Sequence, residues 1–379
     1  MMIETSKARR RCPMRFGKKK KPLLSEGYLW MILAALIYGF SLVVRENPAL
    51  LERVYPAAVN RGLIRVLSRI TGTVPFSLGE FLVYGHVLAL VVLGFLFVKK
   101  LFTGGALRLL SRTLAYVSIL YMIFMVVFGL NYQRPSVRTY LGLEKTLYGQ
   151  EELVALNEAL ILRANALREE MPENKEGVFT LSFEERVLYE KAKDSFVAFS
   201  EEVPVYGGTY GITKGILASE YLNYTGITGI FMPFTGEANV NRRSPDLLFP
   251  ATVLHEMAHQ RGVAYEDEAN YLAFVTSQYH DHKEIQYSGT MLALINAMNA
   301  LHRENRELYL ELYATYHEGI QRDLRAYREF YKAYEGPVNE QATKVNDNYL
   351  KSQGQASGVK SYGEMVNLLL EHFMQKGGL

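Results

Sequence analysis

Cysteine is almost missing from this chain: Cys12 is the single one in 379 residues. Its isolation excludes an intramolecular disulfide and a thiolate metal site, and argues against a small disulfide-stapled secreted scaffold. Such a chain is compatible with either side of a bacterial membrane. Acids are scarce as well, but only at one end. Up to Gln133 there are 5 acids against 18 Lys and Arg; beyond it there are 34 acids against 24 bases. The formal net charge of +3 therefore conceals parts of +13 and −10, two different physical environments. The sequence also shows no internal repeat and no low-complexity segment.

Charge is absent altogether from residues 27–44, GYLWMILAALIYGFSLVV. At about 1.5 Å per residue this run reaches roughly 27 Å, close to the hydrocarbon thickness of a bilayer. Residues 81–98 are uncharged apart from the titratable His86, and 113–133 lie between Arg112 and Arg134. One such run reads as a buried core helix; three, each flanked by bases, read as membrane spans. The first is no cleavable signal peptide, because its apolar region is too long and its basic leader covers residues 1–26. That leader and the loop 99–112 are rich in Lys and Arg, which places both in the cytoplasm. With three spans over 27–133, the acidic remainder, 134–379, then faces outward across the cell membrane. The segment VYPAAVNRGLIRVLSRI between the first two spans has apolar residues at helical spacing and suits the membrane interface. Beside a first span, the leader is a topogenic signal rather than a nucleic-acid arm, so the expected partner is the lipid bilayer and not nucleic acid.

The fold expected of residues 134–379 is mainly α, a mostly helical domain with a small β element. Apolar residues recur at three and four over 151–171 and 182–203. Residues 291–335 read as long amphipathic helix with one break. The β-branched and aromatic stretch 227–241 predicts a strand or two beside a loop. The tail 351–373 reads as a Gly/Ser loop followed by a last helix.

The chemistry concentrates in LHEMAHQRGVAYEDEANYLAF, residues 254–274. His255 and His259 stand one helical turn apart and point to the same side. Two imidazoles at this spacing can both reach one zinc ion at about 2.0–2.1 Å. Glu256 then stands beside a water whose pKa the ion lowers to about 7. Ser244-Pro245-Asp246 predicts the helix start, with Pro250 as an alternative start or a kink, and Gly262 is placed to end it. Paired surface histidines on an ordinary helix are the competing reading. The helix and stop signals, and the carboxylates that open the next helix, favour the metal. Gly262 occupies the glycine position of an HExxHxxGxxH motif, but Tyr265 stands where that class has its third histidine. The third ligand is therefore a carboxylate, leaving Glu266, Asp267 and Glu268. An intramembrane protease is excluded because LLFPATVL is too short to span and is bounded by Arg242, Arg243, Gln260 and Arg261.

The arrangement resembles the gluzincins, thermolysin-like metallopeptidases whose third zinc ligand is a Glu on the helix after HExxH. GEANVN, LHEMAHQRGVAYEDEANYLAF and VKSYGEMV, together with three N-terminal spans, resemble an uncharacterised bacterial membrane family, domain-of-unknown-function family 3810, over nearly the whole chain. The gluzincin resemblance implies a zincin-like fold and Zn2+ held by His255, His259 and Glu268. A Glu-Ala pair follows the motif in those enzymes, and the apolar positions Ala269, Leu272 and Ala273 put a buried face beside Glu268. Glu256 is the expected general base, and Tyr362 or Tyr221 the donor to the oxyanion. His280 and His282 are weaker metal candidates, read as solvated polar residues at a helix end. The expected function is a membrane-anchored zinc metallopeptidase acting on a peptide or protein substrate. The alternative is a membrane-tethered sensor or binding module with a closed, structural zinc site.

Overall fold

A computed structural model describes residues 27–378, except the side chains of Ser361 and Tyr362. The basic leader and Cys12 lie outside the described residues. Three helices among these residues are long and apolar enough to cross a membrane: α1 (Tyr28–Glu46), α4 (Leu78–Thr103) and α5 (Ala106–Val127). None of the most apolar window of α4 is buried within the protein, although that helix carries the highest hydropathy of the three. A helix apolar all round and left uncovered needs an apolar solvent. His86 on α4 meets the Tyr116 hydroxyl of α5 at 2.8 Å.

Two short helices join the first two spans, α2 (Pro48–Val54) and α3 (Ala57–Thr71). The α3 helix buries Asn60, Ile64 and Ser68 against the rest of the protein and exposes its opposite apolar face. Asn60 donates to the carbonyls of Val126 and Val127, at 3.0 and 2.8 Å, so it satisfies groups that the end of α5 leaves open. A 3₁₀ turn, Gly129–Gln133, then leads through α6 (Val137–Leu141) into α7 (Gln150–Arg168) and α8 (Glu185–Glu202).

The sheet among the described residues has three strands in the order β1-β3-β2, with β1 (Lys214–Gly215) parallel to β3 (Glu237–Val240) and β2 (Gly229–Met232) antiparallel to it. Gly229 faces Val240 and Met232 faces Glu237, which leaves β2 at an edge. The stretch 227–241 thus holds two strands, and Lys214–Gly215 supplies a third that its two residues gave no sign of. The short α9 (Ser219–Asn223) lies between β1 and β2.

The remaining helices are α10 (Phe249–Gln260), α11 (Glu266–Gln278), α12 (Lys283–Glu304), α13 (Arg306–Tyr313), α14 (Glu318–Lys332), α15 (Pro337–Ser352) and α16 (Met365–Lys376). The predicted long helix over 291–335 is broken twice rather than once. Asn305 breaks it by accepting from the backbone N–H of Glu307 and Leu308, and His317 starts α14 by accepting from Gly319. The α15 helix was not foreseen.

A large apolar core unites α7, α8, α10, α11, α12 and α16. It is crossed by a buried ion pair in which Arg168 Nε meets Asp323 Oδ2 at 2.7 Å. Asp323 also accepts from the Tyr287 hydroxyl and the Phe179 N–H, so its charge is fully partnered. A second cluster draws Ile64, Val127, Phe128 and Tyr132 from the N-terminal part and Tyr210, Phe231 and Ala264 from the remainder. The spans and the helical domain therefore share a core.

The sheet is also bolted to the start of α4. Glu237 on β3, only 2% exposed, pairs with the equally buried Lys214 and accepts from the N–H of Leu78 and Gly79 at 3.1 and 2.6 Å. In return Glu80 in the first turn of α4 accepts from the N–H of Leu217 and Ala218, both at 2.8 Å. A carboxylate at a helix N-terminus is stabilised by the N–H groups that point out of it.

Candidate metal centre

The α10 helix starts at Phe249 with Pro250 in its first turn, where a missing N–H costs nothing. The alternative start at Pro250 is thus the one the fold uses, and Ser244-Pro245-Asp246 lie in the irregular link before it. Gly262, with φ +87°, ends the helix in the left-handed region. The short turn that follows brings the first residue of α11 back over α10.

His255 and His259 come together with their Nε2 atoms 3.0 Å apart. Each ring is oriented through its other nitrogen: His255 Nδ1 to Asn270 Oδ1 at 2.8 Å, and His259 Nδ1 to the Val263 carbonyl at 2.7 Å. Both partners are oxygens, so each Nδ1 donates and each Nε2 faces the same small space. Such outer partners are how metal-binding histidines are usually held.

The third group is Glu266, not Glu268. Glu266 Oε2 lies 3.1 Å from His255 Nε2 and 3.5 Å from His259 Nε2. Ligands at about 2.0–2.1 Å from a tetrahedral zinc are about 3.3 Å apart, so three edges of 3.0, 3.1 and 3.5 Å fit that ion's donor set. Among the described residues, His255, His259 and Glu266 form the one group of three whose donor atoms converge closely enough for a metal.

Glu268 is committed elsewhere. Its Oε1 accepts from the Ser136 hydroxyl at 2.5 Å and the Val137 N–H at 3.2 Å, closing the start of α6. The reason lies in the burial of α11. Ten consecutive residues from Glu268 through Ser277 are buried, as is Glu266. A helix covered on all sides has no exposed face from which an apolar pattern can select one acid. Two residues apart on a helix is about 200°, so when Glu266 faces α10 its neighbour Glu268 must face away.

Charge follows this geometry. Burial opposes a charge on His259, but the Glu266 carboxylate outweighs it and raises the imidazole to about 9. Burial likewise opposes ionisation of Glu266, and His259 with His255 holds it well below the usual carboxylate range. The centre is an acid-lined trap for positive charge. Glu256 is different: burial pushes it up to about 7 against the influence of both histidines. Among the described residues its Oε2 has no hydrogen-bond partner. It rests against Gly229 of β2, where any Cβ would collide with its carboxylate.

The centre forms one wall of a cleft of about 1040 Å³. The edge strand β2 forms another, α14 and α15 contribute Tyr331 and Tyr349, and the end of α5 contributes Phe124. Phe128 sets its ring edge-on to His259, with centroids 5.8 Å apart. The side chain of Tyr362 lies outside the described residues. Tyr221 is 75% exposed and is not part of the cleft. Tyr349, which sequence reasoning missed, lines the cleft within electrostatic reach of Glu266. His280 and His282 are built into the fold at the start of α12: His280 Nδ1 accepts from the His282 N–H at 2.8 Å and its Nε2 meets the Lys191 carbonyl.

No curated protein and no solved structure matches the chain. A family model described as "Protein of unknown function (DUF3810)" matches residues 55–370, from just before α3 into α16, and so takes in the second and third spans, the sheet and the whole centre. The chain belongs to that family.

Proposed function

We propose that this protein is a membrane-anchored, zinc-dependent peptidase. The observation that carries the reading is the Glu256 carboxylate, one oxygen of which has no hydrogen-bond partner among the described residues, beside three converging donors on the wall of an open cleft. Three protein donors leave a fourth position free, as catalytic zinc sites do and closed structural sites do not. When bound, the ion would polarise the scissile carbonyl and make a water acidic enough to give up a proton near neutral pH. Glu256 would take that proton and later hand it to the leaving amine. Asn270 and the Val263 carbonyl would keep both imidazoles in the ligating tautomer. The edge of β2 would pair with an extended peptide backbone and lay it across the centre.

The test uses the full chain in lipid nanodiscs, with zinc stoichiometry and casein cleavage measured on the same sample. Glu256→Gln should keep one zinc per chain and lose turnover. Turnover that survives the substitution removes the peptidase mechanism, and loss of zinc with turnover makes Glu256 a structural group. The basic leader and the 99–112 loop support a domain facing away from the cytoplasm. A reporter active only outside the membrane should be active when fused after Arg134 and silent at Lys100; the opposite pattern inverts the orientation.

A further inference from the structure

The spans do more than tether the domain: α5 ends at the cleft beside the centre, and α4 starts against β2, a wall of that cleft. A hydrocarbon layer of about 30 Å takes about twenty helical residues at 1.5 Å each. Counted from Arg112 at one boundary, α5 and the turn after it reach the other boundary near Tyr132. Counted back from Lys99, α4 reaches the same boundary near Gly79. Tyr132 and Phe128 line the cleft, and Phe128 touches the His259 ring. Gly79 lies directly beneath Met232 of β2, another lining residue. The α3 helix adds an independent marker of depth. Val59, Leu63, Val66 and Ile70 are 55%, 36%, 56% and 64% exposed and form one stripe, on a helix whose other face is buried against α5 and the sheet. This stripe is continuous with the spans that α3 connects, and the bilayer interface is its occupant.

The lining of the cleft has its own signature. The part of the chain beyond Gln133 carries 24 bases and 34 acids. Among the described lining residues, however, the acids are Glu256 and Glu266, and there is no Lys, Arg or Asp. The other polar groups are amides and hydroxyls, such as Asn296, Asn346 and Thr343. Among the described lining residues there is no fixed cation to take a chain-terminal carboxylate, and no acid beyond the centre itself to take a terminal amine.

We propose that the cleft acts on an internal, uncharged and largely apolar polypeptide segment lying within a few residues of a membrane span. This rests on the peptidase reading and adds where the substrate lies and what it is. One water is consumed as the C–N bond breaks: its hydroxyl goes to the carbonyl carbon and its proton to the leaving amine.

The experiment uses the full chain in vesicles of phosphatidylethanolamine and phosphatidylglycerol. The probe is a single-span polypeptide carrying an eight-residue segment randomised over Gly, Ser, Asn, Val, Leu and Phe. That segment is placed four residues or forty residues beyond the span, and cut sites are read by mass spectrometry. The near segment should be cut at least tenfold faster, and introducing Lys and Asp into it should slow cutting at least tenfold. Val66→Asp with Ile70→Asp should erase the near-over-far preference while cleavage of soluble casein stays unchanged. Equal near and far rates with casein still cleaved would overturn this proposal and leave the peptidase standing. No cleavage of any polypeptide would overturn both, and hydrolysis of the vesicle lipid instead would replace the polypeptide with a lipid substrate.

Discussion

Of the places where this protein buries carboxylates, two treat them in opposite ways. At the foot of α4, Glu237 and Glu80 have their oxygens taken up by Lys214, two hydroxyls and four backbone N–H groups. At the centre, among the described residues, Glu266 is matched by two imidazoles and Glu256 keeps an oxygen with no hydrogen-bond partner. A buried polar atom left unpaired costs free energy that a fold does not spend without return. The first place therefore reads as a bolt and the second as a site, although both hold two buried acids.

The sharpest way to break this comparison is to remove Glu266. Glu266→Ala should weaken zinc binding by more than the 10–100-fold typical of losing an outer partner, whereas Glu268→Ala should leave affinity, measured by competition with a chelator dye, nearly unchanged. Reversed effects would restore Glu268 as the ligand. Breaking the bolt should be nearly as costly in another currency. Lys214→Met leaves Glu237 buried without its cation and should lower unfolding stability by about 3–5 kcal/mol, read by denaturant titration in nanodiscs, with zinc stoichiometry intact where the protein stays folded. If stability hardly moves, the sheet is not held to α4 by charge. Asn270→Ala should sit below both, with about 10–100-fold weaker zinc and little change in stability. Finest of all is Gly229→Ala, whose methyl displaces the Glu256 carboxylate: kcat should fall with zinc binding unchanged, and an unaltered kcat would separate Glu256 from the chemistry.

Much of this was legible from the residues. The spans follow from apolar runs that no soluble core of this kind needs, and the pairing of His255 with His259 follows from a spacing of four. Gly262 marks the end of α10 because a left-handed residue is cheapest at glycine. The acid that joins the histidines was not legible, because the cue used to choose it was an apolar face and α11 is buried nearly all round. The second break in the long helical stretch was equally hidden. His317 is no standard capping residue, and it serves only where the chain turns at residues 314–317 to let α14 close over Arg168.

Composition, periodicity and spacing are local properties, so the sequence by itself determined most of the long helices, the spans, and which side of α10 carries both imidazoles. The tertiary structure alone decided that Glu266 meets them and Glu268 does not, that Gly229 makes room for Glu256, and that the cleft opens where α5 ends. Each of these depends on how two distant segments approach one another. That approach is set by the shared core around Phe128 and Phe231 and by the buried charges at the foot of α4, none of which a single stretch of sequence contains.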